Sequence, residues 1–378
     1  MKKSIGLLAL LALSGAAFAQ VSVVSTDDFD SEPDGIFGGT WLEDSSGDGF
    51  LVEANPDGGK MATFDTAPAF GGNWLWKDIT TNGADTAFVA SVVVKIDPDT
   101  DTLQSRFGLD MYGATDELGT TGFGRIGAIM IGGDGKGYLY RDTLDVLPPE
   151  FNYANSEWHH LDILVDFAGQ RVSGMINGTV LPVSFGFPTA AKNFFLDADL
   201  YSSAAGFNIG HWDDHSVVKA NLAGGKTGVY GAANPQDWAK AVAGMGGKVI
   251  VRDSSGDEEA AITLDKHGYF TAVTSKTGAC EVFAKVGSYL SKKIGDVTYS
   301  GTLRMQAFDM MAFDKSGDAN GDDSVDLLDY FALSYSYNLV LGDSGYDAAA
   351  DFNGDDSVDL LDYFILSDGY NLAGDEIE

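Results

Sequence analysis

A stretch of twelve residues occurs twice near the C-terminus, and it restricts what that region can fold into more than any compositional property does. Asn320-Gly-Asp-Asp-Ser-Val-Asp-Leu-Leu-Asp-Tyr-Phe331 returns 33 residues later as Asn353-Gly-Asp-Asp-Ser-Val-Asp-Leu-Leu-Asp-Tyr-Phe364. An aspartate stands two residues before each copy, Asp318 and Asp351. Counted from it, oxygen-bearing side chains fall at positions 1, 3, 5, 9 and 12. They are Asp318, Asn320, Asp322, Asp326 and Asp329, then Asp351, Asn353, Asp355, Asp359 and Asp362. Ca2+ is a hard cation that takes about six to eight oxygen ligands, and a loop with oxygens at these offsets and a backbone carbonyl at position 7 supplies them. That carbonyl belongs to Ser324 or Ser357. Ca2+ is therefore the expected cofactor, and these twelve residues are its candidate ligands.

Position 6, where the sharp turn usually takes glycine, holds Asp323 and Asp356. Aspartate tolerates the left-handed backbone better than most residues, so the loop can still close. After each loop, Val-x-Leu-Leu-x-Tyr-Phe-x-Leu has apolar residues at helical spacing. Tyr330, Phe331, Tyr363 and Phe364 are expected in the core of this module. Residues 314–378 carry 17 acidic side chains against one lysine, Lys315. Clustered carboxylates repel, and so short a segment buries little core, so calcium is expected to be needed for folding.

The paired loops, over roughly Asp314 to Leu372, resemble a type I dockerin, a calcium-loop module that plugs into cohesin partners. Asp329 and Asp362 fit the dockerin pattern, which ends its loops in Asp rather than Glu. Leu327-Leu328 and Leu360-Leu361, at positions 10 and 11, depart from the small polar residues that dockerins carry there. The resemblance implies a cohesin-like or other surface protein as partner.

The N-terminus has the form of a secretory signal: Met1-Lys2-Lys3, an apolar stretch Ile5 to Leu13, and a small-x-small site Ala17-Phe18-Ala19. It predicts a secreted chain, extracellular or at the cell surface, with mature residue Gln20 first. No segment reaches membrane-spanning length. Secretion usually brings disulfides, but Cys280 is the single cysteine, so calcium and ordinary cores must stabilise the fold. Cys280 lies in an alternating apolar stretch and is expected as a buried free thiol. The net charge is −33, which excludes nucleic-acid binding by phosphate neutralisation.

From residue 20 to 221 the pattern is β throughout. Thr86 to Ile96 is a β-branched run, Leu161, Ile163, Val165 and Phe167 alternate, and two hairpins are marked by Asn177-Gly178 and Asp134-Gly135. Short strands punctuated this way predict a sandwich or barrel. Asp27-Asp-Phe-Asp30, Trp158 to Asp166, Met175 to Val180 and Asp213 to Val218 resemble a laminin G-like or concanavalin A-like jelly roll. Residues 222–246 are Gly/Ala-rich and predict a linker whose last part supplies the next strand. Residues 247–313 predict a small β-sandwich spacer, and Asp265-Lys-His-Gly-Tyr-Phe270 resembles a turn of Cna-B-like or prealbumin-like repeats. The expected order is a signal peptide at 1–19, the jelly roll at 20–221, the linker, the spacer, an α-helical tandem calcium module at 314–374 and an acidic tail at 375–378. The fold class is mostly β.

Three other constellations bear on function. His211-Trp-Asp-Asp-His215, on a strand, would put His211, Asp213 and His215 on one face, where they could ligate a transition metal. The plainer expectation is a closing strand whose aspartates hydrogen-bond the sandwich edge, or bind a structural calcium with the N-terminal acidic cluster. Asp257-Glu258-Glu259 is expected as a solvated turn. Trp74 and Trp76, two apart, could stack on sugar rings, though core packing is the commoner use. No paired-carboxylate run of a retaining glycosidase is present. The chain is therefore expected to bind without turnover: a glycan or surface polymer on the sandwich, a partner at the calcium module, in association with polysaccharide metabolism. The alternatives are a glycoside hydrolase or polysaccharide lyase on the same sandwich, and a structural cell-surface protein.

Overall fold

The computed structural model describes residues 20–375 apart from 36, 38–40, 44–49, 67–70, 77, 82–84, 98–104, 115–122, 141–143, 148–150, 187–193 and 205–207. The expected signal peptide and the last three residues of the acidic tail lie outside the described residues. The chain is mostly β, in several sheets. No helix among the described residues is long and apolar enough to cross a membrane.

Two large antiparallel sheets form the N-terminal sandwich. The first runs Thr179–Val180, Arg171–Ile176, His159–Asp166, Thr86–Ile96, Asn208–Asn221, Lys60–Thr66 and Phe50–Ala54, with Val21–Asp27 also paired to Asn208–Asn221. The second runs Leu144–Val146, Gly137–Tyr140, Phe123–Gly132, Arg106–Ala114, Phe194–Ala204, Gly71–Trp76 and Leu42–Glu43. Side chains alternate along a strand, and this decides the core. Phe88, Ala90, Val92 and Val94 meet Leu161, Ile163 and Val165 on the inside, against Phe107, Leu109 and Ile129 of the other sheet. The hairpin at Asn177-Gly178 closes with both residues at positive φ, 51° and 76°, the geometry a two-residue turn requires.

The outward face of the first sheet is also buried. Ala87, Val89, Leu164 and Met175 pack against Tyr230, Ala232, Tyr269, Val273, Met305 and Ala307 of the second unit. This corrects the expectation of a linker and a spacer. Within 222–246, Thr227–Pro235 is a strand that pairs antiparallel with Tyr269–Thr274 and parallel with Met305–Ala307 and Met311–Phe313. It lies in the first half of the supposed linker, and Gly and Ala are frequent because it is buried on both sides. The second unit's other sheet runs Gly256–Thr263, Gly246–Asp253, Gly278–Val286 and Lys292–Tyr299. Four sheets are thus stacked, with apolar cores between each pair.

Buried polar groups fix the contact between sandwich and second unit. Asp166 accepts from the backbone amides of Arg304 (2.8 Å) and Met305 (3.0 Å). Asp162 Oδ1 accepts from Tyr230 OH (2.8 Å) and Ser91 Oγ (2.6 Å) and is 2.8 Å from His160 Nε2. His160 stacks on Tyr269 with ring centroids 4.2 Å apart.

The C-terminal module has two helices, α1 (Leu327–Ser336) and α2 (Leu360–Gly369), and a two-stranded bridge of Leu339–Val340 with Ser357–Val358. Its core is Val325, Leu333, Ala350, Phe352, Val358 and Leu366, completed by Leu290 from the second unit.

Candidate metal centres of the tandem loops

The two loops fold alike because their side chains bond to their own amides. Asp318 Oδ1 accepts from Gly321 N (2.7 Å) and Oδ2 from Asp323 N (2.8 Å). In the second loop Asp351 Oδ1 accepts from Asp355 N (3.1 Å) and Oδ2 from Asp356 N (3.0 Å). Asn320 and Asn353 accept from Asp322 N and Asp355 N, and those aspartates accept in turn from Ser324 N and Ser357 N. Such short side-chain turns are what Asn and Asp favour locally. Position 6 is left-handed in both copies, Asp323 at φ 68° and Asp356 at φ 73°, as the sequence requires.

The end of each loop is also the start of a helix. Asp326 caps α1 by accepting from Leu328 N (2.7 Å), and Asp329 returns a carboxylate oxygen to Asp326 N (2.8 Å). Asp359 and Asp362 repeat this at α2 through Leu361 N and Asp359 N. These are capping boxes with Asp as the reciprocal residue. Positions 9 and 12 therefore carry two duties, as candidate ligands and as helix caps. Burial, with a neighbouring carboxylate, pushes the Asp329 and Asp362 carboxyls up.

The donor set is oxygen only and in the order a hard divalent cation needs. The carboxylates are turned onto the loop amides. Among the described residues, no three His, Cys, Asp or Glu side chains converge closely enough to hold an ion as they stand. Binding would draw these oxygens inward from amides that the closed loop already presents.

The apolar faces of the helices are a correction. Tyr330, Phe331, Tyr363 and Phe364 are 39%, 45%, 40% and 56% exposed. Leu327, Leu328, Leu360 and Leu361 are each more than half exposed. Each helix is ten residues long, and Leu333 and Leu366 with the loop valines already fill the small core. The remaining apolar positions have no interior to enter.

The strand candidates fare differently. Trp212 is fully buried against Phe50 and Phe107, so His211 and Asp213 point outward. A bulge follows, with Asp214 at φ 55°, and it turns His215 inward against Trp41, centroids 5.3 Å apart. His211, Asp213 and His215 do not share a face. Asp213 accepts from Asn55 Nδ2 (3.0 Å). Asp214 bonds across to His267 Nε2 (2.8 Å) and Lys266 of the second unit. Burial and the charge of Asp214 push Asp213 up to about 7. Burial opposes ionisation of Asp214 too, but His267 and Lys266 hold it down at about 2.

Asp257-Glu258-Glu259 is not a turn: it begins the strand Gly256–Thr263, where Asp257 pairs with Arg252 and Glu259 with Lys248. Cys280 is 5% exposed and unpaired, and burial pushes its thiol up. The side chains of Trp74 and Trp76 lie outside the described residues. A cleft of about 930 Å3 separates Val21–Asp27 from Gly256–Thr263 and Tyr269–Thr274, lined by Ser91, Tyr230, Glu258 and Asp265 among others.

Sequence reasoning missed Lys285 and Lys240, which reach the loops from the second unit. Lys285 ends the apolar run Val282-Phe-Ala284 and Lys240 follows Asp237-Trp-Ala239, and neither setting marks an aspartate of the module as a partner.

No family model matches the chain, and no curated protein matches it. Among solved structures it is similar to a chain of a type II cohesin–X–dockerin complex from Acetivibrio cellulolyticus, at 21% identity and TM-score 0.32, covering 40% of this chain and 99% of that one. It is similar to cellulose induced protein Cip1 at 14% identity and TM-score 0.38, over 51% and 96%. An endo-1,3-beta-glucanase from Streptomyces sioyaensis is similar at 12% identity and TM-score 0.37, over 55% and 100%.

Proposed function

We propose that this is a secreted calcium-binding docking protein, in which the tandem loops bind Ca2+ and the two helices above them present a paired apolar face to a partner protein. One observation carries the reading. The same residues are exposed at the same three places in each copy: Leu327, Leu328 and Phe331, and Leu360, Leu361 and Phe364. Exposed contiguous apolar surface on a water-soluble module marks an interaction site. The loops beneath it would be held by Asp318, Asn320, Asp322, Asp326 and Asp329 and their second-copy counterparts, with the carbonyls of Ser324 and Ser357. Bound calcium would offset the charge of these carboxylates and fix the start of each helix. The partner is a surface protein, cohesin-like or other, with a complementary apolar patch. The β-sandwich would carry the recognition of a glycan or surface polymer, in association with polysaccharide metabolism.

Two measurements test this. Calorimetric titration of residues 20–378 with Ca2+ should show two sites, and absence of heat would remove the calcium reading. A polysaccharide array probed with calcium and with chelator should show retention on a defined glycan. No retention on any glycan would leave a structural surface protein.

A further inference from the structure

Each loop is met by one lysine of the second unit, at equivalent positions. Lys285, on Gly278–Val286, is 6% exposed. Its Nζ donates to Asp318 Oδ2 (2.5 Å), Tyr289 O (2.7 Å) and Asp323 Oδ1 (3.3 Å). Lys240, in the segment after Pro235, donates to Asp356 Oδ1 (2.6 Å) and stands 3.6 Å from Asp351 Oδ2. Asp318 and Asp351 are position 1 of their loops, and Asp323 and Asp356 are position 6. In both cases the ammonium lies toward Oδ2 of the first aspartate, which also accepts the position-6 amide, while Oδ1 accepts another loop amide. The lysines come from unrelated places in the second unit, so duplication of the loop does not explain the match. The aspartates at position 6, where glycine is usual, complete each pair, and Asp323 is further held by Ser291 N (2.7 Å) and Ser291 Oγ (2.5 Å).

We propose that Lys285 and Lys240 are resident counter-cations that keep the two loops closed and docked when calcium is scarce, and so weaken calcium binding at each loop. The inference rests on the calcium reading above and names its regulation. Each loop gathers five carboxylates, counting position 6. An ammonium among them offsets repulsion in the calcium-free state. In the calcium-bound state the same ammonium lies near a second cation and repels it. Both effects lower affinity. Removing a lysine should therefore move two readings in opposite directions. The calcium-free module becomes less stable, and calcium binds more tightly, by about 10-fold at that loop, within the usual range of coupling between sites. A lysine that served only as a structural prop would lower stability with and without calcium, and would not tighten binding.

The test uses residues 20–378 as wild type, Lys240→Met and Lys240→Arg, with calorimetric calcium titration and thermal melts in calcium and in chelator. Lys240 is the first choice because its side chain is 39% exposed, so its loss leaves no buried cavity. Lys285→Met, which leaves Asp318 buried without its cation, is titrated second. The expected result is that one of two sites tightens about 10-fold in Lys240→Met, the melt in chelator falls, and Lys240→Arg restores both. Two calcium sites in the wild type with unchanged or weakened affinity in Lys240→Met would overturn the inference and leave the calcium reading standing. No calcium uptake by the wild type would overturn both.

Discussion

Asp326 and Asp359 each serve a loop and a helix, and a substitution separates the two duties. Asn can cap a helix as well as Asp but brings no charge to a cation. Asp326→Asn with Asp359→Asn should melt in chelator near the wild type and bind calcium more weakly. The double alanine variant should lose about 1 kcal/mol per cap besides, visible as a lower melting temperature in chelator. Asp213 offers a pH test. Its folded value, about 7, is raised above the ordinary carboxyl. Its favourable contribution is therefore fully present below about pH 4 and lost as pH rises through 7. Asp213→Asn, which imitates the protonated side chain, should match the wild type near pH 4 and be more stable at about pH 8. Discounted for partial exposure, the gain is on the order of 1 kcal/mol, read by denaturant unfolding at the two pH values. At this scale the oxygen spacing of the loops was legible because it is local and periodic. The lysines were not, since nothing near Lys240 or Lys285 in sequence points to an aspartate in the module.

The helices make the sharpest test among the elements. If Leu328 and Leu361 are surface residues, Leu328→Asp with Leu361→Asp should change stability by no more than about 0.5 kcal/mol each, and should abolish capture of a partner. A loss of several kcal/mol in a calcium-saturated melt would mean that they are core. Helical spacing in the sequence showed that helices follow the loops. It did not show which side faces inward, because apolar residues occur around most of each helix. Strands with β-branched runs or an Asn-Gly turn were legible, and Thr86–Ile96 has the same limits in the structure as in the sequence pattern. Thr227–Pro235 was not. Thr-Gly-Val-Tyr-Gly-Ala-Ala-Asn-Pro has no alternation, since a strand between two cores uses small residues on both faces.

Across the molecule, the sandwich and the second unit share a core and a buried polar seam, so they should unfold in one transition. Tyr230→Phe removes a donor from buried Asp162, at a cost of about 1–3 kcal/mol, and should split or broaden that transition in calorimetry. The seam also titrates. Burial lowers the His160 basicity, but Asp162, with Asp265 and Asp214 behind it, outweighs this and leaves His160 above its usual value. Its contribution is fully present below about pH 6.5 and fades as pH rises through the higher folded value. The shared transition should therefore lie at higher temperature near pH 6 than near pH 8, and His160→Asn should flatten that difference.

The stacking of four sheets also decides which surfaces a large ligand can reach from solution. The outward face of the sheet containing Thr86–Ile96 and His159–Asp166 is covered by the second unit. On the outer side of the other large sheet Met130 and Tyr138 are themselves buried, 2% and 4% exposed, with the Arg106 guanidinium 4.7 Å from the Tyr138 ring. The exposed leucines and phenylalanines of the helices belong to the C-terminal module, which packs on the second unit through Leu290. On the reading proposed above, a polymer would have to be met on the sandwich away from the face that the second unit covers, and a partner at the helices would not compete for that surface.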